Sequence, residues 1–325
     1  MEFFPDGHHV RLRSRVHGTY LHADDDGVGV SLRPRRAARA TMNAAWRVQR
    51  LVRDGTTYVL LQGAAYGRYL GASFAPAPPG HRGQRVHQRD YDEPEVDAIM
   101  WKGVRAEDGD ADDVVVRHVT NRLLRANGRY RPWYTDVSVE DYDNLSTMMH
   151  WVVEGIPPRP GPPVLPGPTP FLGALPGSSS SRFLTFFSSA FGSLYCFGEQ
   201  FGIIKNNPGG GFGGLFRRHA QPVVEPWRTI RYVRADDFGN FNQLGWATFQ
   251  FHGRSVFNLR TEVAHHVGNA IFFFGITVCV RPGVYGRLTP LVIDLHRSEE
   301  TMDIIVLTTG SPAAEELRYP NVDAP

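Results

Sequence analysis

Three tryptophans divide the first half of the chain into similar lengths, and this repeat constrains the fold more than any other feature. Trp46, Trp101 and Trp151 follow one another at intervals of 55 and 50 residues. A motif with leucine second and alanine fourth precedes each tryptophan: YLHA (20–23), YLGA (69–72) and LLRA (123–126). Repeats of about fifty residues that hold several short strands separated by turns are typical of all-β folds. The sequence therefore predicts three copies of one β unit.

Three such units predict a β-trefoil that covers residues 1–154, in which each repeat supplies equivalent side chains to one core. The expected core positions are Leu21, Leu70 and Leu124 near the threefold axis and Trp46, Trp101 and Trp151 as large buried packing groups. We expect this domain to fold by itself.

Two acidic stretches could suggest a cation site or a catalytic carboxylate pair. Asp24 to Asp26 lie in a turn of the first repeat, and the other two repeats share the turn but not the acids. A calcium loop would need a glutamate at the twelfth position from Asp24, which is Arg35. The stretch 90–97 has five acids that flank a proline and has no counterpart in the other repeats. We interpret both stretches as solvated loops.

Trefoils of the ricin-like lectin group carry a Gln-x-Trp signature in each repeat. In this chain the residue two before each tryptophan is Ala44, Ile99 or Met149, so the signature is missing three times. A carbohydrate-binding trefoil that has lost this signature is the alternative function.

The N-terminal half resembles a plant family called domain of unknown function 569. The resemblance lies in MEFFPDGHHVRLRSR, YDEPEVDAIMW and NLSTMMHWVVE, and it extends over residues 1–154. It implies a fascin-like trefoil and, by analogy with that fold, a non-catalytic protein that binds other proteins such as actin filaments.

Residues 155–227 are rich in proline, glycine and serine, which predicts a disordered linker; it contains a phenylalanine-rich insert at 183–216. The insert has too many serines and glycines, and a glutamate, to predict a membrane span.

Residues 228–320 predict a second domain with the element order ββαββ, which is typical of a β-grasp fold. Ser255 is placed to cap a helix that Gly268 would end, and Val256, Leu259, Val263 and Val267 share one helical face. TIRYVRADD, FQFHGRSVFNLR and DIIVLTTGSPAAEELRYP resemble the ubiquitin-like domain that accompanies the trefoil in some members of the same family.

One loop is a candidate binding surface. RPRRAAR places Arg33, Arg35, Arg36 and Arg39 before Trp46, and four guanidinium groups suit an acidic protein surface such as that of actin, or phosphates. The alternative is a solvated basic loop that balances nearby acids. The loop lacks interleaved aromatic residues for stacking on bases, so we expect no nucleic-acid partner. We also expect the loop to carry no core residue.

The remaining chemistry is sparse. The formal net charge of the 325 residues is +2, which indicates no attraction to nucleic acid or membranes, and two cysteines cannot form a disulfide framework. The N-terminus lacks the basic and apolar regions of a signal peptide, so we expect the protein in the cytoplasm or nucleus. No catalytic, cofactor or metal motif is evident. The sequence thus predicts a non-catalytic scaffold.

Overall fold

The computed structural model describes residues 3–167 and 225–324, apart from residues 39, 93, 108, 109, 111, 129–135, 145 and 269–274. Twelve strands and one helical turn, α1, account for most of the N-terminal half. These elements are β1 (His9–Ser14), β2 (Tyr20–Ala23), β3 (Val30–Arg33), α1 (Arg35–Ala38), β4 (Trp46–Arg53), β5 (Thr56–Gly63), β6 (Tyr69–Pro76), β7 (Gln84–Arg89), β8 (Trp101–Arg105), β9 (Asp113–His118), β10 (Arg122–Ala126), β11 (Val137–Asp141) and β12 (His150–Ile156). Short 3₁₀ turns occur at Met42–Ala44, Glu95–Ile99, Tyr142–Asn144 and Thr147–Met149.

Six of the strands close into a barrel. Strand β1 pairs with β4, β4 with β5, β5 with β8, β8 with β9, β9 with β12, and β12 again with β1. The other six form three hairpins, β2–β3, β6–β7 and β10–β11, and β7 also pairs with β11. Four strands from each repeat therefore build a β-trefoil, and the predicted fold class is confirmed.

The repeated leucines and tryptophans meet inside this barrel. All six side chains are fully buried: Leu21, Leu70, Leu124, Trp46, Trp101 and Trp151. Each indole Nε1–H donates to the carbonyl oxygen of the leucine in its own repeat, at 3.3 Å (Trp46 to Leu21), 2.8 Å (Trp101 to Leu70) and 2.9 Å (Trp151 to Leu124). A buried indole that lacked a partner for its N–H would carry a desolvation cost. The same hydrogen bond thus joins the fourth strand of each repeat to the second.

The C-terminal half is a five-stranded sheet with one long helix. Its elements, with a short flanking strand from residues 158–159, are β13 (Pro158–Arg159), β14 (Trp227–Arg234), β15 (Ala247–His252), α2 (Val256–His266), β16 (Ile276–Val280), β17 (Thr289–Pro290), β18 (Met302–Thr308), α3 (Pro312–Glu315) and β19 (Tyr319–Pro320). The strand order is β15-β14-β18-β16-β17, and only the central pair β14–β18 is parallel. This β-grasp topology confirms the fold class predicted for the second domain.

Helix α2 has the predicted cap and the predicted apolar face. The Ser255 hydroxyl accepts a hydrogen bond from the Asn258 backbone N–H at 3.3 Å, and Gly268 has the positive φ of 69° that ends the helix. The face that packs on the sheet consists of Val256, Leu259 and Val263, which are buried, and Val267, which is partly buried.

The two halves share one continuous hydrophobic cluster. Residues Ala64, Ala65 and Tyr66, in the turn between β5 and β6, are buried in the same cluster as Cys279 and Ile305 of the C-terminal sheet. Apolar burial is worth about 25 cal/mol per Å² of surface, so this shared cluster is the main reason for the two halves to stay together.

The acidic stretch that begins at Asp90 is part of this contact. The Tyr91 N–H donates to Pro282 O at 2.9 Å, the Tyr285 N–H donates to Tyr91 O at 3.1 Å, and Asp92 Oδ1 accepts from the Val284 N–H at 2.6 Å. The expectation of a solvated loop is therefore wrong for residues 91 and 92, because the Tyr91 backbone and the Asp92 carboxylate satisfy the polar groups of the opposite loop.

The aspartate turn of the first repeat also docks on the C-terminal half. Asp26 Oδ1 accepts from the backbone N–H groups of Val28 and Gly29, which fixes the turn. Asp25 O accepts from the Arg297 N–H at 2.6 Å, and Asp25 Oδ2 lies 2.9 Å from Arg297 Nε. The prediction of a turn is therefore confirmed, whereas the prediction that the turn is solvated is wrong. Such half-exposed ion pairs contribute about 0–1 kcal/mol each, so they orient the docked loop more than they stabilise it.

The first residues of the predicted linker belong to the fold. Strand β13 pairs with β19 at the end of the chain, and Pro157 O accepts from the Asn321 N–H at 2.8 Å. Prolines lack an N–H but can accept at a strand edge in extended conformation. The rest of the linker, residues 168–224 with the insert at 183–216, lies outside the described residues.

We expect Trp46→Ala, Trp101→Ala and Trp151→Ala each to lower the free energy of unfolding by about 3–5 kcal/mol, because each removes a large buried side chain. The measurement is denaturant unfolding of the full chain. Trp227, whose side chain is 60% exposed, is the matched control, and Trp227→Ala should change the free energy by about 0.5 kcal/mol or less. A near-neutral result at one of the three barrel positions would contradict the threefold core.

The substitution Gly283→Ala tests the contact between the two halves, and Gly310→Ala is its control for backbone strain. Gly283 has φ +83°, and an added Cβ would lie 2.6 Å from Tyr91 O; Gly310 has φ +80° and nothing within 4 Å. Both alanine variants carry about 1–2 kcal/mol of left-handed strain, but only Gly283→Ala should add about 1–3 kcal/mol for the steric clash with the trefoil. Equal losses in denaturant unfolding of the two variants would show that the halves do not dock through this loop.

Candidate partner-binding surface

The arginine-rich loop begins at the end of β3 and forms one helical turn. Pro34 O accepts hydrogen bonds from the N–H groups of Ala37 at 2.9 Å and Ala38 at 3.1 Å, which closes the turn α1. The fixed φ of proline is compatible with the start of a helix. The turn therefore has a defined backbone conformation.

A single buried methyl group attaches this turn to the trefoil. Ala38 is fully buried and packs with Tyr20 and Ala44. The expectation that the loop carries no core residue is wrong at this position, because the turn folds back and places Ala38 against the β2 strand. Pro34, Arg35, Arg36 and Ala37 remain exposed.

The arginines of the loop face different surroundings. Arg33 is half-exposed, its Nη2 lies 3.5 Å from Asp24 Oδ1, and it lines a cavity of about 690 Å³ between the two halves. Arg35 lines another cavity, of about 590 Å³, beside Tyr20 and Glu154. The loop thus presents its charge over two neighbouring surfaces rather than at one point.

Asp24 is held in its charged form by the groups around it. Burial favours the neutral acid, but the ring of His22, whose Nδ1 lies 3.4 Å from Asp24 Oδ1, the hydrogen bond from the Ser31 hydroxyl at 2.6 Å and the charge of Arg33 outweigh burial and lower the pKa of Asp24. Arg33 is therefore partly compensated.

The charges of Arg35 and Arg36 are not balanced by a carboxylate in this way. Among the residues that the structure describes, neither has a carboxylate within 4 Å of its guanidinium nitrogens. Arg13, on the neighbouring strand β1, differs because its Nε donates to Glu154 Oε1 at 2.6 Å. Arg39, the fourth predicted residue, lies outside the described residues.

Elsewhere the described residues offer few groups for chemistry. They contain no cluster of three or more His, Cys, Asp or Glu side chains with the geometry to hold a metal. Cys279 is a free thiol whose complete burial raises its pKa to about 12, so it is a poor nucleophile. No helix in the described ranges has the length and hydropathy required to cross a membrane.

The positions of the lectin signature are occupied by buried apolar side chains. Ala44, Ile99 and Met149, which stand where the glutamines of Gln-x-Trp would be, are at most 1% exposed. A side chain in such a position has no polar group and no access to a sugar.

Sequence reasoning missed the residues that join the halves. Gln62 on β5 is 1% exposed, and its Nε2 donates to Arg287 O at 2.8 Å. A glutamine directly after the apolar run 58–61 was the available signal, since a buried amide requires a partner. No such signal accompanied Tyr91 or Asp92, whose role depends on backbone groups.

Comparison with known structures shows similarity over the trefoil. The ricin B-like lectin of Macrolepiota procera, solved in complex with lactose, is 19% identical, with 46% of this chain and 96% of the lectin covered and a TM-score of 0.36. The SDF2-like protein of Arabidopsis thaliana is 16% identical, with 46% and 92% covered and a TM-score of 0.38. The designed threefold symmetric protein ThreeFoil is 19% identical, with 45% and 97% covered and a TM-score of 0.36. No curated protein sequence matches the chain.

Comparison with protein families is more specific. The sequence model of the beta-trefoil domain of unknown function DUF569 matches residues 1–154, and that of the DUF569 associated ubiquitin-like domain matches residues 226–307. The two matches together cover more than half of the chain and coincide with its two folded halves. The chain belongs to the DUF569 family and combines its β-trefoil with the associated ubiquitin-like domain.

Proposed function

We propose that this protein is a non-catalytic scaffold that binds an acidic protein surface through the arginine turn at residues 33–38. The observation that supports this most directly is the state of Arg35 and Arg36. Both are exposed, both lack an ion-pair partner among the described residues, and both belong to a turn that the buried Ala38 anchors.

Anchoring makes these charges effective for binding. A flexible basic loop would lose conformational entropy when it is ordered on a partner, at about 1–2 kcal/mol for each residue. The turn α1 is already closed by two backbone hydrogen bonds, so less ordering is required. Guanidinium groups also form bidentate bonds to the carboxylates of an acidic surface.

Actin filaments are the partner that we propose, by analogy with the fascin-like trefoils that the N-terminal half resembles. The filament surface is acidic, which matches the charge of the turn. Because this analogy rests on fold, the test must distinguish actin from a carbohydrate ligand, which is the alternative.

Co-sedimentation of the full chain with actin filaments tests the proposal. The protein should pellet with filaments at low salt and be released as the Debye length falls from about 10 Å at 0.1 M to about 3 Å at 1 M ionic strength. The double variant Arg35→Ala/Arg36→Ala should bind at least about tenfold more weakly, equivalent to about 1.4 kcal/mol, with unchanged thermal unfolding because both side chains are exposed.

The control variant is Arg82→Ala/Arg85→Ala, which removes the same charge from the hairpin between β6 and β7, where both residues are exposed. It should bind filaments like the unmodified protein. Equal weakening of filament binding in both double variants would mean that only net charge matters, and this would contradict a specific site. Absence of filament binding, together with salt-independent retention on a glycan array, would support the carbohydrate alternative.

A further inference from the structure

A second group of arginines lies at the junction of the two halves, away from the turn at residues 33–38. Arg47 comes from strand β4 of the trefoil, and Arg287 and Arg318 come from the C-terminal half. All three line one cavity of about 870 Å³. Neither half alone contains this arrangement.

Arg47 is the least compensated of the three. Its Nε is buried and has no hydrogen-bond partner among the described residues, and no carboxylate there lies within 4 Å of its guanidinium nitrogens. Burial is the main cause that lowers the pKa of Arg47, and the charges of Arg287 and Arg318 lower it further. A guanidinium in such surroundings gains more from an added anion than one in water does.

The other two arginines are only weakly compensated. Arg287 Nη1 lies 3.7 Å from Asp6 Oδ1, and Arg318 Nη1 donates to two backbone carbonyls, Glu315 O at 3.1 Å and Leu317 O at 3.3 Å. These carbonyls are uncharged, so they do not neutralise the guanidinium of Arg318.

The remaining ionisable groups of the cavity do not cancel the charge. Asp6 and Glu316 are the acidic residues that line it, against three arginines. His9 is buried, which, together with the charge of Arg47, lowers its pKa to about 3, so it is neutral at physiological pH. His8 also lines the cavity, and its Nδ1 lies 3.0 Å from Asp6 O.

We infer that this cavity is a binding site for a phosphorylated small molecule that carries more than one phosphate group. Guanidinium groups bind phosphate oxygens with paired, charge-assisted hydrogen bonds, and three guanidinium groups from different chain segments suit more than one phosphate group. The cavity is large enough for a small organic phosphate. The headgroup of a phosphoinositide lipid has the same chemistry as a free organic phosphate.

Because the site lies between the two halves, a bound ligand should stabilise the folded protein. The bound anion would contact Arg47 of the trefoil and Arg287 and Arg318 of the ubiquitin-like half, so it would hold the two halves together. A ligand that binds only the native state raises stability with its concentration. Binding is therefore measurable without knowledge of any activity.

The experiment uses the full chain with pyrophosphate as the probe. Calorimetric unfolding should show a melting temperature that rises with pyrophosphate and saturates, beyond the effect of sodium chloride at matched ionic strength. Isothermal titration should show that Arg47→Met binds pyrophosphate at least about tenfold more weakly. Methionine keeps the apolar stem and removes the buried charge, a change that leaves many proteins equally stable or more stable.

Arg82→Met is the control, since the Arg82 side chain is 74% exposed and does not line this cavity; this variant should bind pyrophosphate normally. If Arg47→Met does not fold, Arg287→Met replaces it with the same expected loss of binding. Sedimentation with phosphatidylcholine vesicles, with and without phosphatidylinositol bisphosphate, then distinguishes a lipid headgroup from a free organic phosphate as the ligand. The inference is overturned if pyrophosphate stabilises no more than sodium chloride does, or if the arginine variants are stabilised as much as the unmodified protein.

Discussion

The contact between the second repeat of the trefoil and the loops around β16 and β17 is the constraint on which the rest of the structure depends. Apolar burial around Tyr66 holds the halves together, and backbone hydrogen bonds at Tyr91 and Asp25 set their orientation. The ion pair between Asp25 and Arg297 is half-exposed and contributes about 0–1 kcal/mol. Because of these contacts, the described residues of the second half pack directly against the trefoil.

This arrangement separates two kinds of basic surface. The turn with Arg35 and Arg36 is part of the trefoil and is anchored locally by Ala38. The site of Arg47, Arg287 and Arg318 exists only when the two halves are docked. In the function that we propose, the turn contacts a protein partner, and the ligand of the second site would reinforce the contact between the halves.

The fold was largely predictable because its signals are local and repeated. The spacing of Trp46, Trp101 and Trp151 indicated three equivalent units, and the Ser255 cap and apolar spacing of α2 indicated the helix of the second domain. The candidate site was predictable only in part. Four arginines in seven residues are visible in any sequence, whereas the convergence of Arg47 with Arg318 requires chain segments about 270 residues apart to meet.

The sequence by itself determined the threefold barrel and the β-grasp half, because both follow from periodic burial of side chains along short segments. Only the tertiary structure decided that the acidic turns at Asp25 and Asp92 are contacts rather than solvated loops. An exposed-looking turn has the same composition whether water or another loop satisfies its backbone groups, so its partner depends on the docking of surfaces distant in sequence. The buried Nε of Arg47, which has no hydrogen-bond partner among the described residues, has the same origin.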